Sequence, residues 1–146
     1  MKITSPSFGE QGEIPREFSC DGEGVSPELN IIEAPIGAKS LALIVDDPDA
    51  PSGDFVHWVV WNISSTTAMI GRNEVPEGGV VGVNSSGSNK YIAPCPPIGT
   101  HHYHFKLYAL DIVLDLESNA GKQELVEAMA DHTIESAELV GLYSRQ

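Results

Sequence analysis

Basic residues are scarce in this chain. Eight lysines and arginines stand against 21 aspartates and glutamates, a net charge of −13. A nucleic-acid binder needs a basic stripe, and none exists. A polybasic membrane patch is missing as well. Cys20 and Cys95 are the only cysteines. They read as two buried or half-buried thiols in a reducing compartment, since a disulfide would need a close, oriented pair. No apolar run approaches the ~20 residues of a membrane helix. The opening Met1-Lys2-Ile3-Thr4-Ser5-Pro6 lacks the apolar core of a signal peptide, which points to a cytoplasmic location. No Gly-x-Ser-x-Gly elbow is present, which tells against a serine hydrolase. Neither a repeat nor an interdomain linker is visible. A length of 146 residues fits one domain, 1–146, with a single buried core.

What is present is a series of short apolar runs between glycine and proline turns. Ser40–Val45 reads as a buried strand, and Phe55–Ile63 as another. A third covers His104–Leu110, with Phe105, Leu107 and Ala109 on one face. Glu135–Tyr143 closes the series, and Val80–Val83 is a weaker candidate. One helix fits Lys122–Asp131, with Leu125, Val126 and Met129 as its apolar stripe and Ser118 or Asn119 as its cap. Gly9–Pro15, Asp21–Pro27 and Asn73–Lys90 read as loops. The pattern predicts a mainly β protein: an antiparallel β-sandwich with Greek-key-like connections and one or two short peripheral helices.

Two segments carry the chemistry. The first is Asp46-Asp47-Pro48-Asp49-Ala50-Pro51-Ser52-Gly53-Asp54-Phe55-Val56-His57-Trp58. The second runs from Tyr91 to Phe105 and contains Pro94-Cys95-Pro96-Pro97, Gly99 and His101-His102-Tyr103-His104. Each is a proline turn that delivers polar side chains beside an apolar strand. Buried ionisable groups need partners, so the segments are expected to meet with Asp47, His57 and His101 in one pocket. A carboxylate such as Asp47 can accept from one imidazole nitrogen, His57 being the expected partner, and leave the other facing the cavity. Two imidazoles and the phenol of Tyr103 make a small donor-rich space, and its natural guest is a compact oxyanion: phosphate, sulfate or carboxylate. Strand alternation puts His101 and Tyr103 on one side, and His102 and His104 on the other as surface residues. That splits the histidine cluster and argues against zinc; neither a metal nor any other cofactor is expected. Ala50-Pro51 and Pro96-Pro97 are the places where a cis bond would fit a tight turn.

At these residues the chain resembles the phosphatidylethanolamine-binding protein family, also called the Raf kinase inhibitor protein family, in its short bacterial and archaeal branch. Asp47-Pro48-Asp49-Ala50-Pro51 with His57 matches one family signature. Pro94-Cys95-Pro96-Pro97, Gly99, His101 and Tyr103 match the second. Cys20-Asp21-Gly22, Ser26-Pro27, His57-Trp58-Val59-Val60, Tyr108-Ala109-Leu110-Asp111 and Leu139-Val140-Gly141 agree, and the likeness spans about Phe18 to Arg145. The resemblance implies an anion pocket. Asp47, His57 and His101 are its ionisable members, Tyr103 is a hydroxyl donor, Ala50 and Pro51 form wall, and the amide of Cys95 donates to the anion. Phe55 stands where mammalian relatives carry tryptophan, Ala93 replaces a glycine, and His102 stands where arginine is common.

The expected function is non-enzymatic: binding of a phosphate-like or carboxylate anion, on a small molecule, a phospholipid head group or a phosphorylated protein. The resemblance adds a regulatory role toward a kinase or a protease, and a homodimer would suit this branch. Serine-protease inhibition is the alternative. An acid/base hydrolase using the Asp-His pair is a further one.

Overall fold

The computed structural model describes residues 1–145. Nine strands and one helix follow in chain order: β1 Lys2–Thr4, β2 Gly12–Glu13, β3 Leu29–Ile32, β4 Ser40–Asp47, β5 Phe55–Ile63, β6 Met69–Ile70, β7 Val80–Val81, β8 His101–Leu110, α1 Lys122–Met129 and β9 Thr133–Tyr143. A single 3-10 turn covers Arg16–Phe18. The strands form two sheets. One has three strands in the order β1-β3-β6, the other six in the order β2-β9-β8-β4-β5-β7. β4 and β5 make a hairpin. The chain then travels through β6 and β7 before laying β8 against the free side of β4. β9 pairs with β8 along its whole length. The result is mainly β and is not a closed barrel.

Every residue of β4 is buried, because both faces of the large sheet are covered. Leu41, Leu43 and Val45 turn toward the small sheet, where they meet Trp58, Val60, Phe105, Leu107, Ile3, Leu29 and Ile31. Ala42 and Ile44 turn the other way, toward Val59, Trp61, Leu125 and Met129 under α1. This two-sided burial makes the strand read as a continuous apolar run rather than an alternating one. Asp46 falls on the helix side and is 1% exposed. It survives there because Lys106 and Lys122 reach it at 3.0 and 2.7 Å. Burial works against the charge on Lys122, but its bonds to Asp46 and Asp54 outweigh that and raise its pKa.

The strands foreseen from sequence are present with shifted ends: β9 starts at Thr133 rather than Glu135, and β7 covers only Val80–Val81 of the expected Val80–Val83. β4 continues through Asp46 and Asp47, and β8 begins at His101 rather than His104. The helix stops at Met129 and is capped at Gly121, whose N–H donates to Glu124 at 2.7 Å; neither Ser118 nor Asn119 fills that position. Val126, assigned to the apolar stripe, is exposed. β1, β2, β3 and β6 are short and were not foreseen. No cis peptide bond occurs among the described residues. No helix is long and apolar enough to cross a membrane.

Candidate anion-binding pocket

Three elements meet at one end of the large sheet. β4 ends in Asp47, β5 begins two turns later and brings His57, and β8 begins with His101 and Tyr103 beside them. Side chains from these elements and from the 92–97 segment enclose a cavity of about 170 Å³. Asp47, Ala50, Pro51, His57, Cys95, His101 and Tyr103, the residues singled out from the sequence, all line it. Phe55 and Ala93 stand in the wall as well.

A β-bulge aims His57. Val45 pairs with Trp58, but Asp46 pairs with Val56, so His57 is the extra residue on its strand. Val56 consequently packs on the helix side, while His57 and Trp58 both face the small sheet. Bulges re-aim side chains in this way. Without it, strict alternation would send the imidazole to the far side of the sheet.

The sequence reading paired Asp47 with His57, and the structure corrects this. Asp47 Oδ2 lies 2.7 Å from Nδ1 of His101. His57 Nδ1 donates instead to the carbonyl oxygen of Ile92 at 2.7 Å. The reason is the antiparallel pairing of β4 with β8, which ends with Asp46 opposite His104 and brings Asp47 to the side of His101. Ile92 has no side-chain signal that could have announced its role, since a backbone carbonyl is the same in every residue. Asp47 also keeps the turn: its Oδ1 accepts from the N–H of Asp49 at 2.8 Å. Asp49 in turn accepts from the backbone N–H and Nδ1 of His102, which hold its carboxyl below the ordinary range.

These bonds fix both tautomers. A carbonyl oxygen only accepts, so Nδ1 of His57 carries a proton. The carboxylate of Asp47 accepts a hydrogen bond from Nδ1–H of His101. Nε2 of each ring has no protein partner among the described residues. Burial pushes the pKa of His57 down, against the opposing bond to Ile92 and the pull of Asp47. Tyr103 sits between the rings, edge-on to His57 with centroids 5.3 Å apart and stacked on His101 at 6.4 Å. Burial, with Asp47 and Asp49 nearby, raises its pKa, so it stays a phenol and a donor. His102 and His104 point outward, to Asp49 and Glu138. No group of three His, Cys, Asp or Glu side chains fit to hold a metal occurs among the described residues.

The cysteines are a second correction. Cys20 and Cys95 form a disulfide, with Cα atoms 5.4 Å apart across 75 residues of sequence. The reading as separate thiols failed because sequence separation says nothing of proximity. The turn after Phe18 folds back onto Pro94, whose carbonyl accepts from the N–H of Cys20 at 3.0 Å.

A family model described as phosphatidylethanolamine-binding protein matches residues 4–144. The chain belongs to that family. Its relatives include a protein of Methanothermobacter thermautotrophicus named UPF0098 protein, 47% identical over 99% of both chains. A Mycobacterium tuberculosis protein named as a lipoprotein, LppC, is 41% identical over 98% of this chain and 72% of its own length. Among solved structures, the phosphatidylethanolamine-binding protein homologue CT736 of Chlamydia trachomatis superposes with a TM-score of 0.96 at 41% identity, over 99% of this chain and 97% of that one. YbcL of Escherichia coli, described as a member of the mammalian family, gives 0.91 at 28% identity, over 99% and 98%. The fold is therefore shared with these relatives over nearly the whole chain.

Proposed function

We propose that this member of the phosphatidylethanolamine-binding protein family is a non-enzymatic binding protein for a phosphoryl or carboxylate anion, acting as a regulator of a partner protein. One observation carries the reading: two imidazoles whose Nδ1 atoms are committed, to Ile92 and to Asp47, flank the ring of Tyr103 in one small cavity. The free Nε2 atoms and the phenol are the groups left to meet a guest. Prolines 51, 96 and 97 stiffen the walls. The lining holds no serine or threonine, and its one cysteine is in a disulfide. That favours binding over nucleophilic catalysis, since Tyr103 is held as a phenol.

The geometry implies proton coupling. A neutral His57 presents a lone pair at Nε2, which repels an oxyanion. A proton must therefore sit between Nε2 and the guest, taken either from solvent or from the guest's own hydroxyl. Binding of inorganic phosphate should strengthen as pH falls from about 8 to about 6, the range in which histidine charges. Calorimetry in two buffers of different ionisation enthalpy counts the protons. His57→Ala and His101→Ala should each weaken binding and flatten the pH dependence. No proton uptake, with unchanged affinity in both variants, would remove the imidazole-based site.

A further inference from the structure

One wall of the pocket is held by packing and a disulfide rather than by backbone hydrogen bonds. Residues 95–100 run from the proline turn to the start of β8, and Cys95, Pro96 and Pro97 line the cavity. Among the described residues, no backbone hydrogen bond reaches this stretch. Anchors stop at both of its ends. Pro94 accepts from the N–H of Cys20, and His101 enters the ladder opposite Tyr143. Prolines narrow the conformations of the segment, and Pro96 is buried, but neither effect supplies a hydrogen bond. Besides that packing, the attachment is covalent: the bond from Cys95 to Cys20.

The far end of that bond is firm. Ser19 Oγ lies 2.7 Å from both the Arg16 carbonyl and the Tyr143 hydroxyl. Tyr143 donates to Asp21 at 2.6 Å. Tyr143 is buried and belongs to β9, directly across from His101. Cys20 thus sits on a hydrogen-bonded post, while Cys95 sits on a wall that has no backbone hydrogen bonds among the described residues. Both cysteines are exposed, so a thiol in solution can reach the sulfurs.

We infer that the Cys20–Cys95 bond is a redox latch on the pocket: closed, it holds the 95–100 wall against the cavity; open, it frees that wall and weakens anion binding. This rests on the anion-pocket reading above. The reductant is a dithiol. One of its thiolates attacks a cysteine sulfur and forms a mixed disulfide; its second thiol displaces that bond. Two electrons and two protons pass to Cys20 and Cys95, and the dithiol ends as a disulfide. The pocket loses affinity because a freed wall has to be ordered again each time a guest binds.

The test compares oxidised protein, protein reduced with a dithiol, and the Cys20→Ser/Cys95→Ser variant. Each is titrated with inorganic phosphate, with the histidine ring resonances followed by NMR. Circular dichroism and urea unfolding report the fold in parallel. The expected result is a folded reduced protein whose affinity is about tenfold weaker, restored by reoxidation and reproduced by the serine variant. Equal or tighter binding without the bond overturns the latch and leaves the anion site standing. Loss of the fold on reduction also overturns it, since the bond is then a staple for the whole chain. Absence of phosphate binding in every form overturns the anion-pocket reading itself.

Discussion

At the scale of single residues, the pocket depends on which group each imidazole leans on. His57 leans on a carbonyl and is buried, so its pKa lies below the ordinary value. The unfolded chain binds a proton near ~6.5, while the folded chain binds one only at lower pH. The stability that His57 lends is therefore full above ~6.5 and is lost as pH falls from there through its folded pKa. Urea unfolding across this range should show the decline, and His57→Asn, which keeps a donor toward Ile92, should show less of it. Asp47→Asn tests the other ring. The amide removes the charge, and its NH2 group is as ready to face Nδ1 of His101 as its oxygen. A loss of about 1–2 kcal/mol in stability is expected for a buried hydrogen bond of this kind. His57 should keep its bond to Ile92 in that variant, because Asp47 does not hold it; a crystal structure with the ring turned away from Ile92 would contradict the assignment.

At the scale of elements, the large sheet sets the positions and its irregularities set the directions. Gly141 on β9 lies opposite Tyr103. A β-carbon there would come within 2.6 Å of Ile14 and 2.7 Å of Phe8. Gly141→Ala should cost about 1–3 kcal/mol through overpacking, read as a lower urea midpoint with an unchanged slope. The four long strands were legible because each combines a run of apolar residues with a turn at its end. β4 is the clearest case: Ser40–Val45 announces itself, but Asp46 and Asp47 hide the last two residues of the strand. They are charged and buried, on opposite faces, and only the lysines on one side and His101 on the other make that tolerable. β1, β3 and β6 were not legible, since strands of two to four residues form against partners distant in sequence and carry little pattern of their own. The membership of the pocket was legible from residue types and spacing. Its wiring was not, because it depends on a bulge at His57, a carbonyl at Ile92 and a disulfide partner 75 residues away.

At the scale of the whole molecule, two global properties act on the same small cavity. The net charge of −13 repels any anion at long range, whereas the proposed anion pocket offers only short-range donors. Screening works mainly on the first, over about 8 Å at physiological salt. Stopped-flow association of phosphate should therefore speed up when a salt with a non-competing anion is added; a steep fall would mean that a local positive field governs entry. The disulfide closes a loop of 75 residues, which the chain-entropy relation values at about 4.5 kcal/mol. Reduction should lower the unfolding free energy by about that amount, measured with urea, while two apolar cores keep the sheets together. β9 has a different consequence, one that concerns synthesis. This strand meets the start of the chain at several points: Glu135 holds the amino terminus, Val140 accepts from Gln11 and donates to Glu10, Leu142 accepts from Ile14, and Tyr143 meets Ser19. It also supplies the neighbour of His101. On a ribosome, the first twenty residues emerge more than a hundred residues before the strand that receives them. Until β9 appears, β8 is an open edge, and the post that carries Cys20 lacks its tyrosine. A nascent chain halted before residue 133 should therefore bind no anion and remain open to proteases at its first twenty residues, however complete its β4–β5 hairpin.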